Sequence, residues 1–173
     1  ALGHRRTDHE SDRHRSGPWR DRADRHDGAG YDVRGRAGEG EDVLCGVRRR
    51  WVALEPEEWV RQHWIAYLRA GLGYPAGCMA VEFPLTLNGL QRRADLVCFD
   101  PRGEALVLVE CKRPAVALSQ TVLDQVLRYR LALPAAVVVV SNGLEHRAWD
   151  CRSGSALSEL PAYRNEGADG AAG

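Results

Sequence analysis

Ala105-Leu106-Val107-Leu108-Val109-Glu110-Cys111-Lys112-Arg113-Pro114 is an aliphatic run that ends abruptly in charge. It is too short between Gly103 and Pro114 for an ordinary helix and rich in the residues that fit a pleated surface, so it reads as a buried strand. Side chains alternate along a strand, which puts Glu110 and Lys112 on one face and Cys111 on the other. Charges ending an apolar run cost free energy unless they are paired, metal-bound or at the open end of the sheet.

Working upstream, Asp100-Pro101-Arg102-Gly103 is a turn, Arg93 to Phe99 a second strand, Asn88-Gly89 a hairpin turn and Ala80 to Leu87 a third strand. Before these, Pro56 suits the first turn of a helix, with Glu57 and Glu58 at its positive end. Its apolar residues Val60, Trp64, Tyr67 and Leu68 carry the helix to about Ala70, where Gly71 and Gly73 supply the stop. Downstream of Pro114, apolar positions Val122, Val126, Tyr129 and Leu133 predict a second helix over Ser119–Leu133, closed by Pro134. The valines within Ala135–Val140 have the composition of a parallel strand covered on both faces. Asn142-Gly143 then turns the chain into a strand over Leu144–Trp149. The order α-β-β-β-α-β-β, with one strand–helix–strand crossover, predicts an α/β sandwich with a mixed central β-sheet flanked by helices.

Residues 1–42 are mostly Arg, Asp, His and Gly and bury too little apolar surface to offset the entropy of ordering, so a disordered charged tail is expected there. The folded domain is expected over 43–164, with order starting near Arg48, and a flexible tail over 165–173. Lys plus Arg equals Asp plus Glu at 24 each, so any polyanion site must be a local patch. The five cysteines are odd in number and include no C-x-x-C pair, which suggests reduced thiols and not a structural metal centre. No apolar run approaches the roughly 18 residues of a membrane span, and no leader is recognisable. A soluble, cytoplasmic protein without membrane contact is the expectation.

Asp95, in Arg93-Ala94-Asp95-Leu96-Val97, is a charge inside an apolar strand one hairpin before Glu110. If the two strands pair, Asp95, Glu110 and the backbone carbonyl of Cys111 offer a hard-oxygen shell for Mg²⁺, with Mn²⁺ as a possible substitute. Lys112 is the only lysine in the chain, the other basic residues all being arginine. Lysine alone of the two can shed its proton when desolvated, so a solitary lysine beside a metal site suits the orientation or activation of water. A plain Glu110–Lys112 ion pair is the alternative. Arg92, Arg93, Arg113 and Arg128 lie near these residues in sequence and are candidates for holding the phosphates of whatever polyanion the site takes, or are solvated surface arginines.

Asp95, Glu110-Cys111-Lys112 and Gln125-Val126-Leu127-Arg128-Tyr129 together resemble the D…E-x-K…Q-x-x-x-Y pattern of PD-(D/E)xK nucleases. With Pro56-Glu57-Glu58-Trp59-Val60-Arg61-Gln62-His63 and Ser141-Asn142-Gly143-Leu144-Glu145-His146, the chain is similar to the N-terminal nuclease domain of type I restriction enzyme R subunits. The resemblance implies a restriction-endonuclease-like fold and a Mg²⁺-dependent DNA endonuclease of restriction or repair type. Asp95 and Glu110 would be metal ligands and Lys112 would position water. Gln125 and Tyr129 would reach the site from the second helix, and Glu58 would be the extra helix glutamate of such sites. DNA, a helicase motor and specificity subunits of a restriction complex are the implied partners, and the chain has no G-x-x-x-x-G-K-[ST] loop of its own. It departs from the family pattern before Pro56, where Glu55 replaces a threonine-like cap. The competing expectation is a nuclease-fold DNA-binding or protein-interaction module that does not cut.

Overall fold

The computed structural model describes residues 31–35 and 40–165. A helix α1, Pro56–Ala66, continues through a wider turn at Tyr67–Gly71, close to the limit expected from sequence. Pro56 occupies its first turn and Glu55 makes no side-chain cap, so the departure from the family pattern leaves the helix start to the proline. The strands β4 (Met79–Leu87), β5 (Leu90–Phe99) and β6 (Ala105–Cys111) follow as antiparallel neighbours. Asn88 and Gly89 both take positive φ, as the tight hairpin between β4 and β5 requires, and Gly103 does so in the next turn.

The expected second helix is two. Ser119 accepts a bond from the Val122 amide and starts α2, Gln120–Leu127, and after Arg128 a single turn α3, Tyr129–Ala132, completes the span. β7 (Val137–Ser141) then pairs parallel with β6, fully buried along its length, so the crossover forms as the valine run implied. β8 (His146–Asp150) and β9 (Ala156–Leu157) extend the sheet, whose order is β4-β5-β6-β7-β8-β9 with β6–β7 its parallel pair. One face, through Val107, Val109, Leu96 and Val139, packs on Trp64 and Ile65 of α1 and on Leu68 of the wider turn that continues it. The other, through Leu108, Val138 and Val140, packs on Leu123 and Val126 of α2.

Order also starts earlier than expected. Strands β1 (Val33–Gly35), β2 (Glu41–Cys45) and β3 (Arg50–Ala53) form a separate antiparallel sheet ahead of α1, so the tail assigned to 1–42 is corrected over its described part. Val43 and Cys45 are completely buried, and the Arg34 guanidinium lies 4.2 Å from the centre of the Trp51 ring. A few well-placed contacts replace the long apolar runs that sequence reading looks for. The charged tail expected over 1–30 and 36–39, and the C-terminal tail over 166–173, lie outside the described residues. Among the described residues no helix is long and apolar enough to cross a membrane.

An irregularity in β4 positions the site. Met79 and Val81 join the core on the α1 face, whereas Phe83, Leu85 and Leu87 of the same strand pack on the α2 face. Residues two apart should share a face, so the pleat turns over between Val81 and Phe83. Glu82 between them has φ of 54°, a left-handed conformation unusual for glutamate. Its partner β5 does the same: Leu96 and Cys98 face α1 but Ala94 faces α2. The register runs Val81↔Leu96 and Phe83↔Ala94, which leaves Glu82 opposite Asp95 at the point of reversal.

Candidate active site

Asp95 sits where the pleat turns over, and its carboxylate reaches sideways to the edge of β6. Its Oδ2 accepts the Cys111 amide N–H at 2.7 Å, and its Oδ1 takes the Arg61 guanidinium at 2.7 Å. The ladder between β5 and β6 ends at Leu96↔Val109, so this side-chain bond replaces a backbone one. In an extended strand the N–H and C=O of one residue share an edge, which directs the Cys111 carbonyl to the Asp95 side.

Glu110 is next along β6, shares the face of Leu108 as alternation predicts, and is only 7 % exposed. Its Oε1 lies 3.6 Å from the Lys112 ammonium, and its Oε2 is buried with no hydrogen-bond partner among the described residues. Burial, then the neighbouring Asp95 charge, push the Glu110 carboxyl up to about 8, against the opposing pull of Lys112. Lys112 follows the end of β6, and its amide is tied to the Ser141 carbonyl at 2.7 Å, so both carboxylates and the lysine collect at one end of the β6–β7 pair. The loop beyond β7 is held by Asn142, whose side chain receives the Leu144 and Glu145 amides and bonds the Val116 carbonyl. Gly143 has φ of 85°, and a Cβ there would lie 3.0 Å from a Val60 methyl, so any larger residue would strain both the backbone and the packing against α1.

Tyr129, half-buried at the start of α3, is near enough that the negative charges of Glu110 and Asp95 add to burial in raising its hydroxyl pKa. Gln125 is exposed on α2, with no hydrogen bond to the site among the described contacts. Arg92 is exposed on β5 and its charge is felt at Tyr129. Arg93 approaches Glu82 at 4.0 Å, Arg113 approaches Glu57 at 3.9 Å, and Arg128 is exposed between α2 and α3. Arg92, Arg93 and Arg113 therefore present solvent-facing charge beside Tyr129, Glu82 and Glu57 respectively.

Glu58 comes to the site, but not as an open ligand. Its carboxylate is held by Arg48 and Arg61 and receives the Gln62 amide at 2.8 Å. Arg48 enters from the turn between β2 and β3 and also approaches Glu82 at 3.5 Å. Sequence reading missed both arginines. Arg61, three residues after Glu58 on a half-apolar helix, carries a readable i,i+3 signal. Nothing local marks Arg48 or Glu82.

Among the described residues no three His, Cys, Asp or Glu side chains gather as a ready-made metal cluster. Two carboxylates and a carbonyl nevertheless fit a hard divalent cation, which takes the remainder of its shell from water and phosphate. The unpartnered Glu110 Oε2 is the atom such a cation would satisfy.

A mixed sheet between helices with Asp95, Glu110 and Lys112 at one end of its parallel pair defines a restriction-endonuclease-like α/β domain. The family model described as type I restriction enzyme R protein N terminus (HSDR_N) matches residues 56–161, and the chain belongs to this family. Membership sets it in the context of restriction systems and DNA. Comparison with curated proteins and with solved structures gave no significant match.

Proposed function

We propose that the protein is a Mg²⁺-dependent endonuclease that hydrolyses DNA phosphodiesters, with Mn²⁺ able to replace Mg²⁺. The observation that carries this is the buried carboxylate of Glu110, one oxygen unpartnered, beside Asp95 and the sole lysine. A buried carboxylate left in this state is costly unless a proton or a cation compensates it.

Asp95 and Glu110, with the Cys111 carbonyl, would hold the cation. When bound it would acidify a coordinated water and offset charge on the phosphate. Lys112, anchored through its amide to β7, is set to orient the attacking water by donating from Nζ. Hydrolysis forms one bond from water oxygen to phosphorus and breaks one ester bond, the departing oxygen gaining a proton. Arg92, Arg93 and Arg113 would hold phosphates on either side, in a salt-dependent way and without reading sequence. Tyr129 borders the same pocket of charge, and Gln125 would have to turn inward to join it. Translocation and target choice would belong to motor and specificity partners of a restriction complex.

A non-cutting DNA-binding module is favoured by one observation, that both Asp95 oxygens already have protein partners. Incubation of plasmid and single-stranded DNA with the protein, with and without Mg²⁺, separates the two. Cleavage should require Mg²⁺ and fall roughly 10²- to 10⁴-fold in Lys112→Ala, the range of positioned proton-transfer groups, and at least as far in Asp95→Ala. Cutting that persists in both variants removes the site from the reaction, and metal-insensitive binding without cutting selects the module.

A further inference from the structure

Glu58 is 6 % exposed and Arg61 is 7 % exposed, so their pairing is made away from solvent. The Glu58 carboxylate is shared by two guanidiniums and the Gln62 amide, and the second of those guanidiniums passes on to Asp95. A continuous chain of alternating charge thus runs from Glu82 through Arg48, Glu58 and Arg61 to Asp95. Arginine does not give up its proton in proteins, so Arg48 and Arg61 are permanent positive charges fixed where a further metal ion would otherwise be drawn to Glu58.

We propose, on the basis of the nuclease reading above, that Arg48 and Arg61 act as built-in cations that close the helix side of the site. The protein then holds one divalent cation per chain, at Asp95 and Glu110, and Glu58 is a positioning residue and not a metal ligand. Arg61 transmits the fixed position of Glu58 to Asp95, leaving the carboxylate aimed at the edge of β6. The charge count agrees. Leaving out Arg93, which is 71 % exposed where it approaches Glu82, carboxylates Glu58, Glu82, Asp95 and Glu110 face the cations Arg48, Arg61 and Lys112, which leaves a single formal negative charge when all are ionised. One divalent cation turns this into a single positive charge, the complement of one phosphodiester. A second would leave an excess that one phosphodiester does not balance, in a site where burial makes excess charge expensive.

The test is a titration of the full chain with Mn²⁺ alone, bound metal being counted from the loss of the free-ion electron paramagnetic resonance signal and, independently, by calorimetry. The wild-type protein should bind one Mn²⁺ per chain. Two ions of similar affinity would overturn the inference and leave the nuclease reading standing. No binding by folded protein would defeat the nuclease reading and this inference with it. Arg61→Met should expose a second, weaker Mn²⁺ site and weaken the first by about 10- to 100-fold, the usual range for loss of a group that orients a ligand. Arg61→Lys should keep one ion. The double variant Arg61→Met with Glu58→Gln should return from two ions to one. If Arg61→Met does not fold by circular dichroism, Arg48→Met makes the same test from the hairpin side. A stoichiometry that stays at one whichever of these arginine-to-methionine variants is measured would show that the arginines exclude nothing.

Discussion

The two candidate metal-holding carboxylates come from strand pairs built in opposite ways. Glu110 ends β6, whose parallel partnership with β7 is unbroken from Val107↔Val137 to Cys111↔Ser141 and whose side chains alternate between the two faces over that stretch, past an irregularity at Ala105 and Leu106. Asp95 lies in the β4–β5 hairpin where the pleat turns over opposite a left-handed Glu82. The first pair buries its apolar residues on both faces and supplies stability. The second interrupts its own ladder, which frees an acidic side chain to leave its face and bond an adjacent strand. Local strain of this kind persists when the surrounding structure over-determines it, and it is concentrated at functional sites.

The division can be broken by substitution. Leu108→Ala, in the regular pair and fully buried, should cost about 2–5 kcal/mol in urea unfolding through lost burial and the cavity left behind. A cost below that of any change at Glu82 would place the stability elsewhere. Next in size is a pH effect at the end of the same strand, measured with a chelator present. The Glu110 carboxyl is raised from 4.5 in the unfolded chain to about 8 in the fold, so the folded state prefers it protonated. Its contribution is complete below the lower value and is lost as pH rises toward and through the upper one, at up to about 1.4 kcal/mol per pH unit between them. The unfolding midpoint should therefore fall from about pH 5.5 to about pH 8.5, and Glu110→Gln should flatten that fall. An unchanged slope in the variant would mean that Glu110 is not the group being titrated.

The smallest effect is expected in the irregular hairpin. Glu82→Val places a β-branched residue at positive φ and should destabilise by about 1 kcal/mol, whereas Glu82→Gly should stay within about 1 kcal/mol of the parent because glycine accepts that backbone freely. Equal losses in both would mean that the Arg48 and Arg93 contacts of Glu82, and not its backbone, are what matter there.

The same contrast explains how much was legible in the sequence. β6, β7 and their crossover follow from aliphatic runs bounded by Gly103, Pro114 and Pro134, since regular burial leaves a regular pattern. The hairpin turns at Asn88-Gly89 and Asp100–Gly103 are readable because few other residues tolerate them. Asp95, Glu110 and Lys112 stood out as charges in or at the ends of apolar runs, and the structure brings them together. The face reversal was invisible, because Val81, Phe83 and Leu85 keep their two-residue spacing straight through it. Arg48 and Arg61 were hidden by their commonness in a chain whose basic residues are almost all arginine. β1–β3 were missed because two buried residues, Val43 and Cys45, and one cation–aromatic contact stabilise strands whose composition is otherwise that of a loop.

The turn between β2 and β3 has a practical meaning for anyone dividing the molecule. Similarity to the family begins at residue 56, yet Arg48, eight positions earlier, is half of the counter-charge on Glu58. A chain shortened to begin at Pro56 would keep every residue by which the family is recognised and lose a grounding wire of its electrostatics. The boundary drawn by ancestry and the boundary drawn by charge neutrality fall in different places.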